Sequence, residues 1–297
     1  MTERISEKKG VFTASVSDNE QIGACFHRLS LTIQGDAAKT FSSARPGQFA
    51  EFELTNAALP SDEQIPDELK LSGKAFRQIL LRRPFSFANI EFSDNRATLE
   101  ILYRVLGPAT LRMKTLMPGD KIGVIGPLGN GFEIFGDKKL AILAAGGMGI
   151  PPLLHLAKEL NKYPDTKTIA FVGARSGSQL PCREIEGTKI LISTDDGSIG
   201  FKGFATAMFK DWLVKEKPDA SKAIIYTCGP EAMMAGVAKI AANFNIPCQV
   251  SLERVMACGT GLCQGCAVKC IDKKTQEVGY KLCCKDGPVF WADEVVW

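Results

Sequence analysis

Cysteines are concentrated near one end of this sequence. Six of the ten lie after position 250, and Cys258, Cys263 and Cys266 follow a C-x4-C-x2-C spacing. That spacing, completed by a more distant cysteine, is the plant-type ligand pattern of a [2Fe–2S] cluster. The intervening glycines let a loop wrap around a cluster and direct N–H groups at sulfur. We therefore predict a one-electron redox site, whose fourth ligand is either Cys283 or Cys284.

A zinc site is the alternative for the same cysteines. Zinc ribbons commonly use two C-x2-C pairs, but Cys263 and Cys266 form one pair here, and Cys266 and Cys270 are spaced C-x3-C. The spacing favours iron and sulfur. A zinc-stabilised binding protein without a redox role stays open as a hypothesis of another class.

Two turns in the middle of the chain have the composition of a nucleotide site. Gly146, Gly147 and Gly149 follow an apolar run, and glycines let the backbone approach a pyrophosphate at a helix N-terminus. The third position of the Rossmann fingerprint holds Pro152 rather than glycine. Cys228, Gly229 and Pro230 follow a later strand, and the ends of parallel strands meet at one edge. We predict a crevice there in which Cys228 is the catalytic residue, against the alternatives of a tight turn and a structural cysteine.

Two further motifs contain groups that suit a second cofactor. In the first, an arginine can bind phosphate and a serine hydroxyl can bind a polar cofactor edge; its residues are Arg83, Pro84, Phe85 and Ser86. In the second, an aromatic ring can stack on a cofactor, and a helix start offers N–H groups; its residues are Leu102, Tyr103, Arg104, Ala109 and Thr110. Each motif alone also fits an ordinary strand or cap.

The pattern of the chain predicts three parts. Short strand-like runs with turns near residues 11–54, 84–90, 98–106 and 120–125, with a short helix near 110–117, predict an antiparallel β-barrel at 1–136. Residues 56–79 predict an inserted surface loop, with a helical turn near 74–80. Strands alternating with helices predict an α/β domain with a parallel sheet at 137–247. Residues 248–297 form a small C-terminal cysteine domain in this multidomain scheme.

Bulk properties exclude several classes of protein. A net charge of +3 over 297 residues gives no electrostatic footprint for nucleic acid. The longest apolar run, 140–157, is interrupted by glycine and proline, and residues 1–9 are polar. We therefore expect neither a membrane span nor a secretory signal, and a cytoplasmic location. The two histidines, His27 and His155, are interpreted as core residues.

In order, these motifs resemble the ferredoxin–NADP reductase superfamily. With the cysteine pattern, residues 80–90, 126–132 and 286–290 resemble the electron-transfer subunits of class 1B dihydroorotate dehydrogenase. The resemblance covers nearly the whole chain. It implies FAD on the barrel, at the second-cofactor motifs described above, with Ala109 where the family usually has glycine. It also implies NAD at the glycine turns, with NADP not excluded, and Cys284 as the fourth cluster ligand because it directly precedes the x-D-G-P signature.

The resemblance implies a function as well. A partner subunit carrying FMN oxidises dihydroorotate, and electrons pass through the [2Fe–2S] cluster and FAD to NAD+, in a heterotetramer of two copies of each subunit. The rival is an NAD(P)H-linked flavin and [2Fe–2S] subunit of another complex, of the ferredoxin–NADP oxidoreductase, sulfite reductase or hydrogenase type.

Overall fold

The structure is a computed structural model that describes residues 9–297. The expectation of no secretory signal rests on the polar residues 1–9. Of these, only Lys9 lies within the described residues. Within residues 9–297, no helix combines the length and the apolar character needed to cross a bilayer.

The first part is an antiparallel, barrel-like sheet of seven strands. The strands are β1 (Gly10–Ile22), β2 (Phe26–Gln34), β3 (Phe49–Glu53), β4 (Arg83–Ser86), β5 (Asn89–Ser93), β6 (Arg96–Tyr103) and β7 (Lys121–Leu128), and a short helix α1 (Asp36–Lys39) follows β2. Their order is β4-β3-β7-β1-β2-β6-β5. The alternating residues Leu29, Leu31 and Ile33 are buried inside. The predicted barrel is therefore confirmed, but the single strand expected over 84–90 is wrong: it divides at the buried Phe87.

The inserted segment has structure of its own. It contains a helix, α2 (Asp67–Leu71), between two 3-10 turns at Asp62–Gln64 and Lys74–Phe76. Ile65, Leu69 and Ala75 form a small buried cluster with Leu111 of α3 (Pro108–Met113). Because α3 would otherwise present Leu111 to solvent, the segment supports that helix rather than hanging free as a loop.

The second part alternates strands with helices as predicted. Its elements are β8 (Leu140–Gly146), α4 (Ile150–Leu160), β9 (Lys167–Ala174), β10 (Thr188–Thr194), β11 (Phe201–Lys202), α5 (Ala205–Glu216), β12 (Ala223–Cys228), α6 (Glu231–Asn243) and β13 (Cys248–Ser251). All neighbouring pairs among these strands are parallel. In β8, Leu143 packs with α4 on one face, and Ile142 packs with α5 and α6 on the other. Both faces of the sheet are covered.

The last part of the chain is tied to this sheet. Strands β14 (Ala267–Ile271) and β15 (Val278–Leu282) form a separate hairpin, and β16 (Val289–Trp291) pairs antiparallel with β13. The sheet order is β11-β10-β9-β8-β12-β13-β16. Strands of only three or four residues are too short to show a periodicity, so the sequence did not predict β13 or β16. The sheet thus continues past residue 247.

Candidate functional site

A crevice of about 760 Å³ lies where the three parts of the chain meet. The barrel contributes the start of β4, and α3 contributes its first turn. The sheet contributes the turn after β12, and the tail contributes the segment just before the cysteine loop. Among the predicted residues, the crevice is lined by Arg83, Pro84, Phe85, Ala109, Thr110, Gly229 and Pro230. Three motifs that are far apart in sequence therefore share one cavity, whose size is that of a cofactor site.

Local contacts explain how the barrel side of the crevice is held. Phe85 stacks on Phe52 of β3, with ring centroids 5.5 Å apart. The hydroxyl of Thr110 accepts a hydrogen bond from the Gly107 N–H at 3.2 Å, which fixes the loop that enters α3. Ala109 packs in the barrel core. Its methyl group is therefore accommodated by this packing.

Four predicted residues of the barrel do not line the crevice. Tyr103 is fully buried; its ring stacks on His27, and its hydroxyl donates to Asn19 Oδ1 at 3.0 Å. A ring in that position cannot stack on a ligand, so the stacking role expected for Tyr103 is wrong. The other three are Ser86, Leu102 and Arg104. The guanidinium of Arg104 lies 5.8 Å from the centroid of the Phe26 ring.

The glycine turns pack against each other at the end of the parallel strands. A Cβ atom on Gly149 would lie 2.2 Å from the backbone of Cys228, and one on Gly146 would lie 2.7 Å from Met233 Sδ. Packing against the backbone at the end of β12 thus requires glycine at position 149, whereas Gly146 meets the end of a side chain from α6. Gly147 differs, because its φ is +54° and no described atom lies within 4 Å of its Cβ position. Its backbone is the part of this turn that is open to a ligand.

Cys228 ends β12 beside this turn. Burial raises the pKa of its thiol to about 12, although a hydrogen bond with Ser251 acts in the opposite direction. The thiol is therefore protonated at neutral pH. The residue is partly exposed but does not line the crevice itself.

The cysteine loop brings its predicted ligands together as two pairs. The Cys263 N–H donates to Cys258 Sγ at 3.4 Å, and this bond and others from the loop lower the pKa of Cys258 to about 6. In the second pair, the Sγ atoms of Cys266 and Cys284 lie 3.3 Å apart. Burial, with Cys266 beside it, raises the pKa of Cys284 to about 12. Binding of a metal at this pair would release a proton.

Paired cysteines fit a two-iron cluster better than a single zinc ion. Four cysteines that hold a [2Fe–2S] cluster supply two thiolates to each iron, whereas structural zinc needs four ligands around one point. The thiol of Cys283 points elsewhere and donates to the Leu252 carbonyl oxygen at 3.4 Å. The geometry supports Cys284 as the fourth ligand.

Sequence reasoning missed the part of the crevice that the tail supplies. Glu253, Arg254, Val255 and Met256 line it. Arg254 makes a two-pronged ion pair with Glu231 at the start of α6, at 2.9 and 3.3 Å. The sequence does offer one signal for Glu253, Arg254, Val255 and Met256, which is that they lie shortly before Cys258. A path for electrons from the cluster to a second cofactor must pass beside the cluster ligands. The other lining residues that were missed are Leu81, Leu106, Gly107, Pro108, Glu231 and Met234.

Comparison with known proteins identifies the family. The sequence model of the iron–sulfur cluster binding domain of dihydroorotate dehydrogenase B matches residues 253–296. A dihydroorotate dehydrogenase B (NAD+) electron transfer subunit from Fusobacterium nucleatum is 32% identical over 286 residues, which are 95% of this chain and 96% of that protein. The chain belongs to this family of electron transfer subunits. The Caldanaerobacter subterraneus member is 38% identical over 76% of this chain and 83% of its own length.

Solved structures agree with the fold. The structure of an NADH-dependent reduced ferredoxin–NADP oxidoreductase is similar with a TM-score of 0.74 and 27% identity, over 96% of this chain and 90% of that one. A ferredoxin reductase in carbazole 1,9a-dioxygenase has a TM-score of 0.60 at 17% identity, over 80% of this chain and 67% of that one, which shows the fold alone.

Proposed function

We propose that this chain is the electron-transfer subunit of a dihydroorotate dehydrogenase. It takes electrons from an FMN-containing catalytic subunit that oxidises dihydroorotate, and it delivers them through a [2Fe–2S] cluster and FAD to NAD+ in pyrimidine biosynthesis. One observation carries the proposal: Met256 lines the crevice, and Cys258, a predicted cluster ligand, follows two residues later. The flavin crevice and the cysteine loop are thus adjacent parts of one path.

The cofactors supply the electron chemistry, because a flavin accepts single electrons from a cluster and exchanges a hydride with a nicotinamide. The residues of the chain bind and orient. Arg83 offers a phosphate ligand and Val255 and Met256 offer apolar cover at the crevice. Backbone N–H groups of the cysteine loop stabilise the Cys258 thiolate, and Cys228 holds a protonated thiol beside the nucleotide turn.

We assign the predicted residues to three cofactors. FAD binds at Arg83, Pro84, Phe85 and the Ala109–Thr110 turn. Ser86, Leu102, Tyr103 and Arg104 do not line the crevice and support the residues that do. NAD binds at the turn of Gly146, Gly147 and Gly149 and at Gly229 and Pro230. The cluster is held by Cys258, Cys263, Cys266 and Cys284. In the division that we propose, residues 1–136 bind FAD, residues 137–247 bind NAD and residues 248–297 bind the cluster, while β13 and β16 of the last part extend the NAD-binding sheet.

The assembly follows from this role. A cluster exchanges electrons with a partner only across a short distance, and Cys263 is exposed; we therefore propose that the catalytic subunit binds against the cysteine loop. We propose a heterotetramer with two copies of each subunit, located in the cytoplasm, where free thiols persist.

Reconstitution tests the function. Mixing the purified chain with a candidate FMN subunit should give dihydroorotate-dependent reduction of NAD+. The matched control is the same chain mixed with bovine serum albumin. A chain that reduces ferredoxin with NADPH but supports no dihydroorotate oxidation would establish the rival, an NAD(P)H-linked reductase subunit. The visible spectrum of the anaerobically purified chain should contain flavin and iron–sulfur absorbance. Zinc without either absorbance would refute both redox functions.

A further inference from the structure

Glu51 occupies an unexpected place between the barrel and the cysteine loop. Strand β3 alternates: Ala50 and Phe52 pack in the barrel core, so Glu51 and Glu53 lie on the opposite face. That alternation predicts two exposed carboxylates. Glu53 is partly exposed and pairs with Arg82 at 2.5 Å, whereas Glu51 is only 1% exposed.

The cysteine loop is what covers Glu51. A Cβ atom on Gly259 would lie 2.6 Å from Glu51 Cγ and 2.7 Å from Glu51 Oε1. Gly259, whose φ is +65°, directly follows Cys258 in the chain. The carboxyl group is therefore packed against the backbone of the loop that contains two predicted cluster ligands.

The carboxyl group has no hydrogen-bond partner within residues 9–297. The N–H groups of Thr260 and Cys263 are directed at the sulfur of Cys258 instead. Burial raises the pKa of Glu51 to about 7, the Arg83 and Arg82 guanidinium groups lower it, and Cys258 raises it. A buried carboxyl without donors costs free energy, so folding alone gives no reason for a glutamate here.

The neighbours of Glu51 supply a reason. Arg83 is a wall of the flavin crevice, and Cys258 belongs to the cluster loop. Glu51 interacts electrostatically with both. Because Glu51 lies between the flavin crevice and the cluster loop, its carboxylate charge interacts with any charge that forms at either site.

We propose that Glu51 is a positioning residue for electron transfer, whose carboxylate, held between Arg83 and the Cys258 loop, sets the reduction potential of the cluster. This rests on the proposed function. Taking up one electron adds one negative charge at the cluster, and a nearby carboxylate opposes that charge. The carboxylate therefore keeps the cluster a stronger reductant toward the flavin than it would otherwise be.

The test is a redox titration of the loaded full-length chain with dithionite, followed by electron paramagnetic resonance at mildly alkaline pH. Glu51→Gln removes the charge and keeps the shape. It should favour the reduced cluster by about tenfold, a rise of about 59 mV for one electron. Glu51→Asp keeps the charge and should stay near the wild-type potential. Glu53→Gln is the matched control on the same strand and should not shift the potential.

The outcomes separate a role in tuning from a role in folding. The proposal is overturned if Glu51→Gln contains full iron and FAD but has the wild-type potential, or if Glu53→Gln shifts the potential equally. If Glu51→Gln does not hold the cluster, Glu51→Ala takes its place: a raised potential in a loaded Glu51→Ala supports the proposal, and a wild-type potential there, or loss of the cluster in both variants, refutes it. The titration needs neither dihydroorotate nor a partner, so its result is independent of the reconstitution test.

Discussion

Adjacent cysteines at 283 and 284 have different environments, although both are buried. The Cys284 sulfur faces Cys266, and the Cys283 thiol is bonded to a backbone carbonyl group. We expect Cys284→Ser to abolish or distort the cluster absorbance and resonance signal while FAD stays bound, because a hydroxyl is a poor substitute for a thiolate on iron. Cys283→Ser is the matched control and should retain iron and sulfide at wild-type content. The reverse result would mean that the assignment of the fourth ligand is wrong.

The burial of His155 predicts that the stability of the folded chain depends on pH. The residue is 2% exposed, and within the described residues its Nδ1 has no hydrogen-bond partner. Burial lowers the pKa of His155 to about 4, from 6.5. Between these values the unfolded chain binds a proton that the folded chain does not, so stability falls as pH falls through this window. The full effect is about 3 kcal/mol.

Urea unfolding at a series of pH values measures this effect. His155→Leu should lose less stability than wild type between neutral pH and the acid end of the window. An equal loss in both proteins would show that other groups dominate the acid dependence.

Single residues mark how far the sequence predicts the site. The cysteine spacing predicted the cluster loop, and the motifs at Arg83 and Gly229 predicted two sides of the crevice. Both were predictable because residue spacing and turn chemistry are local properties of the sequence. The roles of Tyr103 and Glu51 were beyond such reasoning. Contacts between distant parts of the chain decide which face of β6 points into the barrel. They also decide what covers the outer face of β3.

At the scale of elements, the inserted segment acts on the helix that lines the crevice. Leu69 of α2 is 7% exposed and packs in the cluster that includes Leu111 of α3. Leu69→Ala should cost about 2 kcal/mol and should increase the rate of FAD release, because α3 loses support. Leu71→Ala is the matched control, since Leu71 is 89% exposed and surface changes cost about 0.5 kcal/mol or less. Fluorescence of released flavin measures the rate. Equal rates would show that α3 holds its position without the segment.

Element types were predicted well where periodicity is long, as in α4 and β9. The elements that the sequence did not predict are α1, α2, β11 and β13 to β16. None is longer than five residues, and such short elements form because neighbours already provide an edge or a surface. Their existence is a tertiary property that a single sequence shows weakly.

At the scale of the whole molecule, one buried cluster spans the three functional parts, beside a core inside the barrel and a core on the α4 face of the sheet. A single buried cluster includes Phe49 and Leu128 of the barrel, Ile142 and Val250 of the sheet, and Val268 of the tail. The barrel also buries a core of its own, and the shared cluster joins it to the sheet and the tail, unlike domains connected only by linkers. This agrees with a crevice that all three build.

Removing the residues after 251 tests whether the sheet depends on the tail. A chain ending at residue 251 loses β16 and uncovers the apolar residues that Phe290 and Val268 bury. We expect it to lack a cooperative unfolding transition and to bind no NADH. Calorimetry and NADH titration of the truncated chain measure both. A fragment that unfolds cooperatively and binds NADH would show that the tail is dispensable for the sheet.

The pairing of β13 with β16 has a consequence for how the protein is made. The predicted ligands all lie between these two strands in sequence, so the loop that holds them is closed only when β16 has been synthesised and has docked. Translation proceeds from the N-terminus, and early parts fold first. The flavin-binding barrel is therefore complete while the cysteines are still accessible. The cysteines of this loop can therefore meet iron and sulfide in that interval, before the last strand pairs with β13.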